Sequence, residues 1–434
     1  MKRLFHIISI AAVLFVLFAC GEDRSNEYEE KTLCDHWMAD IMSQKYLWGD
    51  RIMVDEIPWK RFFAAPKTFF ADLTKFSPIG DTWSWCTVDT IDDDGHQRGY
   101  FNHFDSYGID FILMADPTNA TSRQYARVMT VIPGSPADKC GLERGDFISH
   151  VDGNRMASSY TSLLVNGKAR TLVVAKLDVD YEENEFFWAQ VDTIRMERSE
   201  YVEDVPYPVC KNFKIGDTDV AYLMCNRLSE GPDELDEQST DYVLQLEKAV
   251  KSLQQYHPKV LVVDFRLCNY GTLMMANKFA SSILGTAYAG EIFAKTIYSQ
   301  TRSSENQTIL FDNEALEHAI VPEDVFFIIS EQTSGAPEWV IRAVQNVMGG
   351  SNVFTVGDTS GGQIVLTEDI KSQFAVTLHP AVAYVANALG EYGYVDGIVP
   401  DVLKNEASYV KLYPYGDENE ALLKFVLDEV ENMY

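Results

Sequence analysis

The chain has 434 residues, 46% of them hydrophobic and 12% aromatic, enough for two or three packed cores and too apolar for a disordered chain. Its 65 acidic residues against 36 basic ones leave a formal charge of -29, a surface that repels phosphate backbones and argues against nucleic-acid binding. The cysteines and histidines are dispersed, with no CxxC pair, no HExxH and no zinc spacing, so neither a metal nor a cofactor is expected.

Residues 1–20, MKRLFHIISIAAVLFVLFAC, open with Lys2 and Arg3, continue as an apolar run and stop at Cys20. The run is too short for a comfortable membrane-spanning helix and reads as a signal peptide. Its end, LFAC, resembles a bacterial lipobox, with Leu17 and Ala19 in place and a bulkier Phe18 between them. That resemblance implies a lipid on Cys20, a lipidated mature N-terminus, and a place in the bacterial cell envelope. Residues 21–30 are polar and acidic and suit a flexible tether. Residues 31–104 carry aromatic residues three and four apart, as in CDHWMADIMSQKYLW and WKRFFAAPKTFFADLTKF, which predicts a helical domain. The three aspartates of IDDDGHQRGY (Ile91 to Tyr100) do not have the spacing of a calcium loop and read as a solvated turn.

Residues 105–180 change character. YGIDFILMA alternates as a strand does, and YARVMTVIPGSPADKCGLERGDFISHVDGNRM reads as strand, Pro-Gly turn, short helix, Gly-Leu break and strand. The stretch Pro133 to Gly153 resembles a PDZ domain of the bacterial protease type, with Gly141, Leu142, Gly145 and Asp146 at that family's helix end and turn. The resemblance implies that a peptide C-terminus adds as a strand, its carboxylate held at Tyr107, Gly108, Ile109 and Asp110. The acidic Asp110 does not favour a carboxylate. Residues 181–218 read as connecting strands.

Residues 219–434 alternate strand and helix: VAYLMCNRL, a helix within ELDEQSTDYVLQLEKAVKSLQQY, the buried strand KVLVVDFRL, the helix LMMANKFASSIL, the strand DVFFIIS and the helix EWVIRAVQNVM. NVFTVGDTSGG and FAVTLHPAVAYV supply further strands. Such alternation argues for a largely parallel sheet covered on its faces. The whole is expected to be a multidomain α+β chain.

Four segments in order, VVDFRLCNYGTL, SEQTSGAPEWV, VGDTSGGQIV and GYVDGIVPDV, following a PDZ-like module, resemble the S41 peptidases, the C-terminal-processing or tail-specific serine proteases. The resemblance implies an α/β domain of the ClpP/crotonase-like type and a Ser–Lys dyad with an oxyanion-binding turn. Thr333, Ala336 and Glu338 fit the serine segment, but its nucleophile position falls on Gly335 and Ser334 sits one residue early. Gly357, Gly361 and Gly362 fit the lysine segment, but the lysine position falls on Gln363, whose amide cannot serve as a general base. In the oxyanion segment Asp264, Arg266 and Gly271 fit, whereas Cys268 and Tyr270 replace asparagine and glycine. A one-residue shift that uses Asn269 instead stays open. His379 or His318 could partner Ser334, and Cys268 could serve as a nucleophile, but none has a motif around it. The dyad's absence favours a catalytically degenerate, lipid-anchored protein that binds polypeptides, in particular their C-termini. An active serine endopeptidase with its site shifted to Ser334, or a cleft that binds a small ligand, are the alternatives.

Overall fold

The computed structural model describes residues 25–88, 103–180, 182, 185–232 and 239–434. The signal segment with Cys20 and the turn Ile91 to Tyr100 lie outside the described residues. No helix among the described residues is long and apolar enough to cross a membrane. The chain divides into two compact units.

The first unit takes in the described residues up to 88 together with Ser299–Thr301 and Thr367–Val382. A helix spans Ser25–Lys45, so the segment read as tether is already helical from residue 25; a run such as SNEYEEK, with three glutamates and a lysine, holds no helix breaker. Its inner face carries Met38, Ala39 and Met42, all fully buried. The next helix, Pro66–Thr74, begins on a proline and buries Phe69, Phe70 and Leu73. Between them the aromatic spacing predicted α-helix, but Gly49–Phe63 forms three separate 3-10 turns. Pro58 and Pro66 bracket the last of these and prevent a continuous α-helix.

This unit is not purely helical. Strand Trp85–Val88 pairs antiparallel with Val376–His379, so residues read as part of the C-terminal domain complete the N-terminal one. FAVTLHPAVAYV holds two strands, Val376–His379 and Ala381–Ala386. Pro380 sits at the break and has no N–H to continue the ladder. His379 is fully buried, stacked on Trp85 at 4.5 Å with Nδ1 bonded to Asp369 at 2.6 Å.

In the second unit the PDZ module is a sheet of β1 (Ile109–Ala115), β2 (Gln124–Val131), β3 (Phe147–Val151), β4 (Arg170–Asp180) and β5 (Glu185–Met196), in that spatial order. One face packs Val128, Ile148, Leu172, Val174 and Met196 into a core closed by Ala137 and Leu142. The sheet therefore runs 16 residues past the predicted end at 180, because β5 pairs with β4 along its whole length.

The α/β sheet begins at residue 210, earlier than the 219 read from the sequence. Its order is β6 (Cys210–Ile215), β7 (Thr218–Met224), β8 (Val260–Asp264), β9 (Asp324–Ile329), β10 (Val353–Gly357) and β11 (Val402–Leu403). All neighbours from β7 to β11 are parallel. Strand residues alternate between two cores, as a period of two requires. Ala221, Leu223, Leu261, Val263, Val325 and Phe327 pack with helices α1 (Asp241–Gln254), α2 (Leu273–Leu284) and α3 (Ala336–Met348). Val220, Tyr222, Val260, Val262, Phe326 and Ile328 pack against α4 (Ala421–Met433). Both faces are covered, which is why these strands read as unbroken apolar runs.

Candidate active site

Three loops leave the carboxyl ends of adjacent parallel strands β8, β9 and β10, where open α/β sheets place their ligands. They carry the first three of the four segments singled out in the sequence. Backbone and side-chain bonds join them: Ser334 N–H donates to Cys268 O at 3.1 Å, Gly361 N–H to Thr333 O at 2.8 Å, and Thr333 Oγ1 to Phe265 O at 2.9 Å.

Glu338 fastens this junction. It lies in the first turn of α3, fully buried, and its carboxylate accepts from Gly335 N–H (2.9 Å), Gly362 N–H (2.7 Å), Gln363 N–H (2.8 Å) and the Ser360 hydroxyl. Burial raises its carboxyl above the ordinary value, against the pull of these four donors. Ser360 in turn accepts from Ile398 N–H at 2.7 Å, which ties in the closing GYVDGIVPDV segment, and Asp401 of that segment accepts from both the N–H and the hydroxyl of Thr355 in β10. The sequence marked Glu338 only as a register point; a glutamate three residues beyond a glycine at a helix start was the available signal for a capping role.

Gly335 caps α3 with φ 72° and ψ -115°, a conformation that side chains resist. A Cβ at this position would meet the Gln363 side chain, 3.1 Å from its Cδ and 3.2 Å from Oε1. The two positions matched to nucleophile and base are thus brought together, but the side chains there are a hydrogen and an amide. Ser334 points to the same place, its Oγ 3.5 Å from Gln363 Oε1. That is a long contact, and an amide oxygen accepts a hydrogen bond without removing the proton.

The other candidates do not converge on this point. Cys268 is fully buried, with Sγ 3.8 Å from Tyr270 O, among core residues. Beside it, the thiol of Cys225 is pushed well up by burial and then by Cys268. His318 is exposed just past a short helix, its carbonyl accepting from Gln254. His379 has its partners in the first unit. Gly271 packs against the start of α3: a Cβ there would fall 2.6 Å from that of Ala336 and 2.5 Å from that of Leu228. Tyr270 turns its ring onto the buried Arg227 guanidinium at 4.3 Å, a partner that the sequence did not signal. Among the described residues no three His, Cys, Asp or Glu side chains converge as metal ligands.

Below the site lies a buried ionic cluster. Arg266, fully buried, bonds Asp264 (2.6 Å), Glu406 (2.7 Å) and Glu420 (2.8 Å). Arg144 of the PDZ module bonds Glu406 at 2.6 Å and lies 3.9 Å over the ring of Tyr415. Burial alone would raise the two glutamates, but Arg266 and then other bonds, including those of Arg144, hold both below their ordinary range.

In the PDZ module, two of the amides assigned to a peptide carboxylate are already donors within the module. Tyr107 N–H donates to Val165 O and Gly108 N–H to Ser106 Oγ. Tyr107 itself is fully buried, and its hydroxyl bonds Lys168 O and Arg170. Ile109 and Asp110 start β1, an edge strand of the sheet.

The PDZ domain family matches residues 127–174. No curated protein matches the chain. A proposed S41 protease from Bacteroides fragilis, known from its crystal structure, is 25% identical with a TM-score of 0.79, over 92% of this chain and 97% of that one. The photosystem II D1 C-terminal processing protease is 13% identical with a TM-score of 0.48, over 88% and 95%. Mature CPAF in complex with lactacystin is 10% identical with a TM-score of 0.48, over 94% and 98%.

Proposed function

We propose that this chain, which has the S41 peptidase fold and carries a PDZ domain, binds extended polypeptides without hydrolysing them, held at a bacterial envelope membrane through a lipid on Cys20. The observation that carries the reading is the meeting of Gly335 and Gln363: the frame for a nucleophile and its base persists while neither reagent is present. Amide hydrolysis needs an alcohol activated by a group that takes its proton, and Ser334 faces an amide oxygen instead. The committed Tyr107 and Gly108 amides favour an extended segment along the edge of β1 over a terminal carboxylate.

The test combines a fluorogenic casein assay, labelling with a serine-reactive phosphonate, and thermal shift with unlabelled casein peptides. Binding with neither turnover nor label is the result the reading requires. Turnover abolished by Ser334→Ala, or a label on Ser334, establishes the shifted-site peptidase instead. A melting temperature raised by small metabolites and not by peptides moves the cleft to a different ligand class.

A further inference from the structure

The PDZ sheet has a second face, turned away from its core. A bulge at Ala189, where Lys176 pairs with Gln190 and Leu177 with Trp188, brings Trp188 and Val191 to the same side of β5. There, with residues of β2, β3 and β4, they floor a cavity of about 480 Å³. Tyr125 and Trp188 lie beneath it with their rings tilted by 32° and centroids 4.8 Å apart. Arg123, His150 and Arg155 stand around it, and no acidic side chain lines it. Neither arginine makes an ion pair among the described residues.

That is a local reversal of sign on a chain with a formal charge of -29. Some exposed basic residues elsewhere are paired, as Lys139 with Glu200 and Lys176 with Glu143 are. β5 is also the outer strand of its sheet, and Phe186, Phe187 and Val191 are exposed along it. An open strand edge accepts an extended peptide through its backbone. Alternate side chains of such a peptide would then pass over the cavity.

From this combination we infer a second peptide site, on β5 and the face beside it. It takes an extended acidic polypeptide segment whose carboxylates meet Arg123 and Arg155 and whose apolar side chains rest on Tyr125, Trp188 and Val191. The site is separate from β1 at the opposite edge and does not depend on the fate of the Ser334 region.

Fluorescence anisotropy tests it with a short fluorescein-labelled peptide in which glutamates alternate with valine and phenylalanine. The native chain should bind this peptide, bind its lysine-for-glutamate counterpart at least about tenfold more weakly, and lose affinity as salt rises. The Arg123→Glu/Arg155→Glu variant, altered only at exposed positions, should retain its circular dichroism and melting temperature and reverse the preference between the two peptides. The inference is overturned if the native chain binds neither peptide, if both bind equally, or if the folded double variant binds the acidic peptide unchanged.

Discussion

At Gly335 the position matched to a serine nucleophile carries no side chain, and its neighbour Gln363 carries an amide. The space for a Cβ is bounded by the tip of Gln363, a side chain that can move, so a hydroxyl fits there once the strain of φ 72° is met. Gly335→Ser combined with Gln363→Lys should therefore become reactive toward a serine-directed phosphonate while neither single substitution does. Intact-mass spectrometry reads the adduct. A double variant that is folded and unlabelled would mean that the segment matched to an oxyanion turn, with Tyr270 or Asn269 in it, does not support the reaction. Glu338 is the opposite kind of residue, one whose work is wholly internal. Glu338→Gln keeps the shape but turns an amide N–H toward donors, leaving buried N–H groups without an acceptor. A loss of about 3 kcal/mol in urea unfolding is expected.

The loops gain their arrangement from the strands behind them. β8, β9 and β10 are parallel neighbours in register, so segments well separated in sequence leave the sheet side by side. The ionic cluster beneath joins PDZ residue Arg144 to Glu406, and Glu406 to Arg266 at the root of the β8 loop. Arg144→Ala strands a buried carboxylate between fewer partners and should cost about 3–5 kcal/mol; Arg144→Lys should recover only part of it, because a lysine cannot bond Glu406, the Met129 and Tyr413 carbonyls and the Tyr415 hydroxyl together. Denaturant unfolding followed by intrinsic fluorescence measures both. Strands such as KVLVVDFRL and DVFFIIS, and the helix LMMANKFASSIL, were legible because each carries its own period and ends at its own signals. The segments carrying Gly335 and Gln363 were legible as well, and in the structure these two residues lie side by side. What escaped was set by which segment pairs with which. β5 belongs to the PDZ sheet because β4 pairs with it, Val376–His379 joins the first unit because Trp85–Val88 does, and Tyr270 covers Arg227. No local pattern encodes a partner.

At the scale of the whole molecule, two sets of buried carboxyls give stability opposite slopes with pH. Glu406 and Glu420 are held below their ordinary value of 4.5, so their contribution is present above that pH and is lost as pH falls through the folded values. Asp35, in the first unit and only 3% exposed, is pushed by burial from 3.8 to about 7, against a backbone hydrogen bond from Ala64. The folded chain holds that proton more tightly than the unfolded one, so its contribution is greatest below pH 3.8 and declines as pH rises toward 7. Asp35→Asn should raise the melting temperature at pH 8 and change it little at pH 4, read by calorimetry across that range. A variant less stable than the native chain at pH 8 would show that the carboxylate is compensated.

The pairing of Trp85–Val88 with Val376–His379 also fixes an order of events during synthesis. Thr87 and His379, which contact each other, lie 292 positions apart. A ribosome that has made the first hundred residues has not yet made the strand they need, and the earliest part of the chain must wait until most of the rest has emerged. Contacts of such long range slow folding. Nascent chains halted before residue 376 should therefore leave Trp85 open to protease, however long the pause.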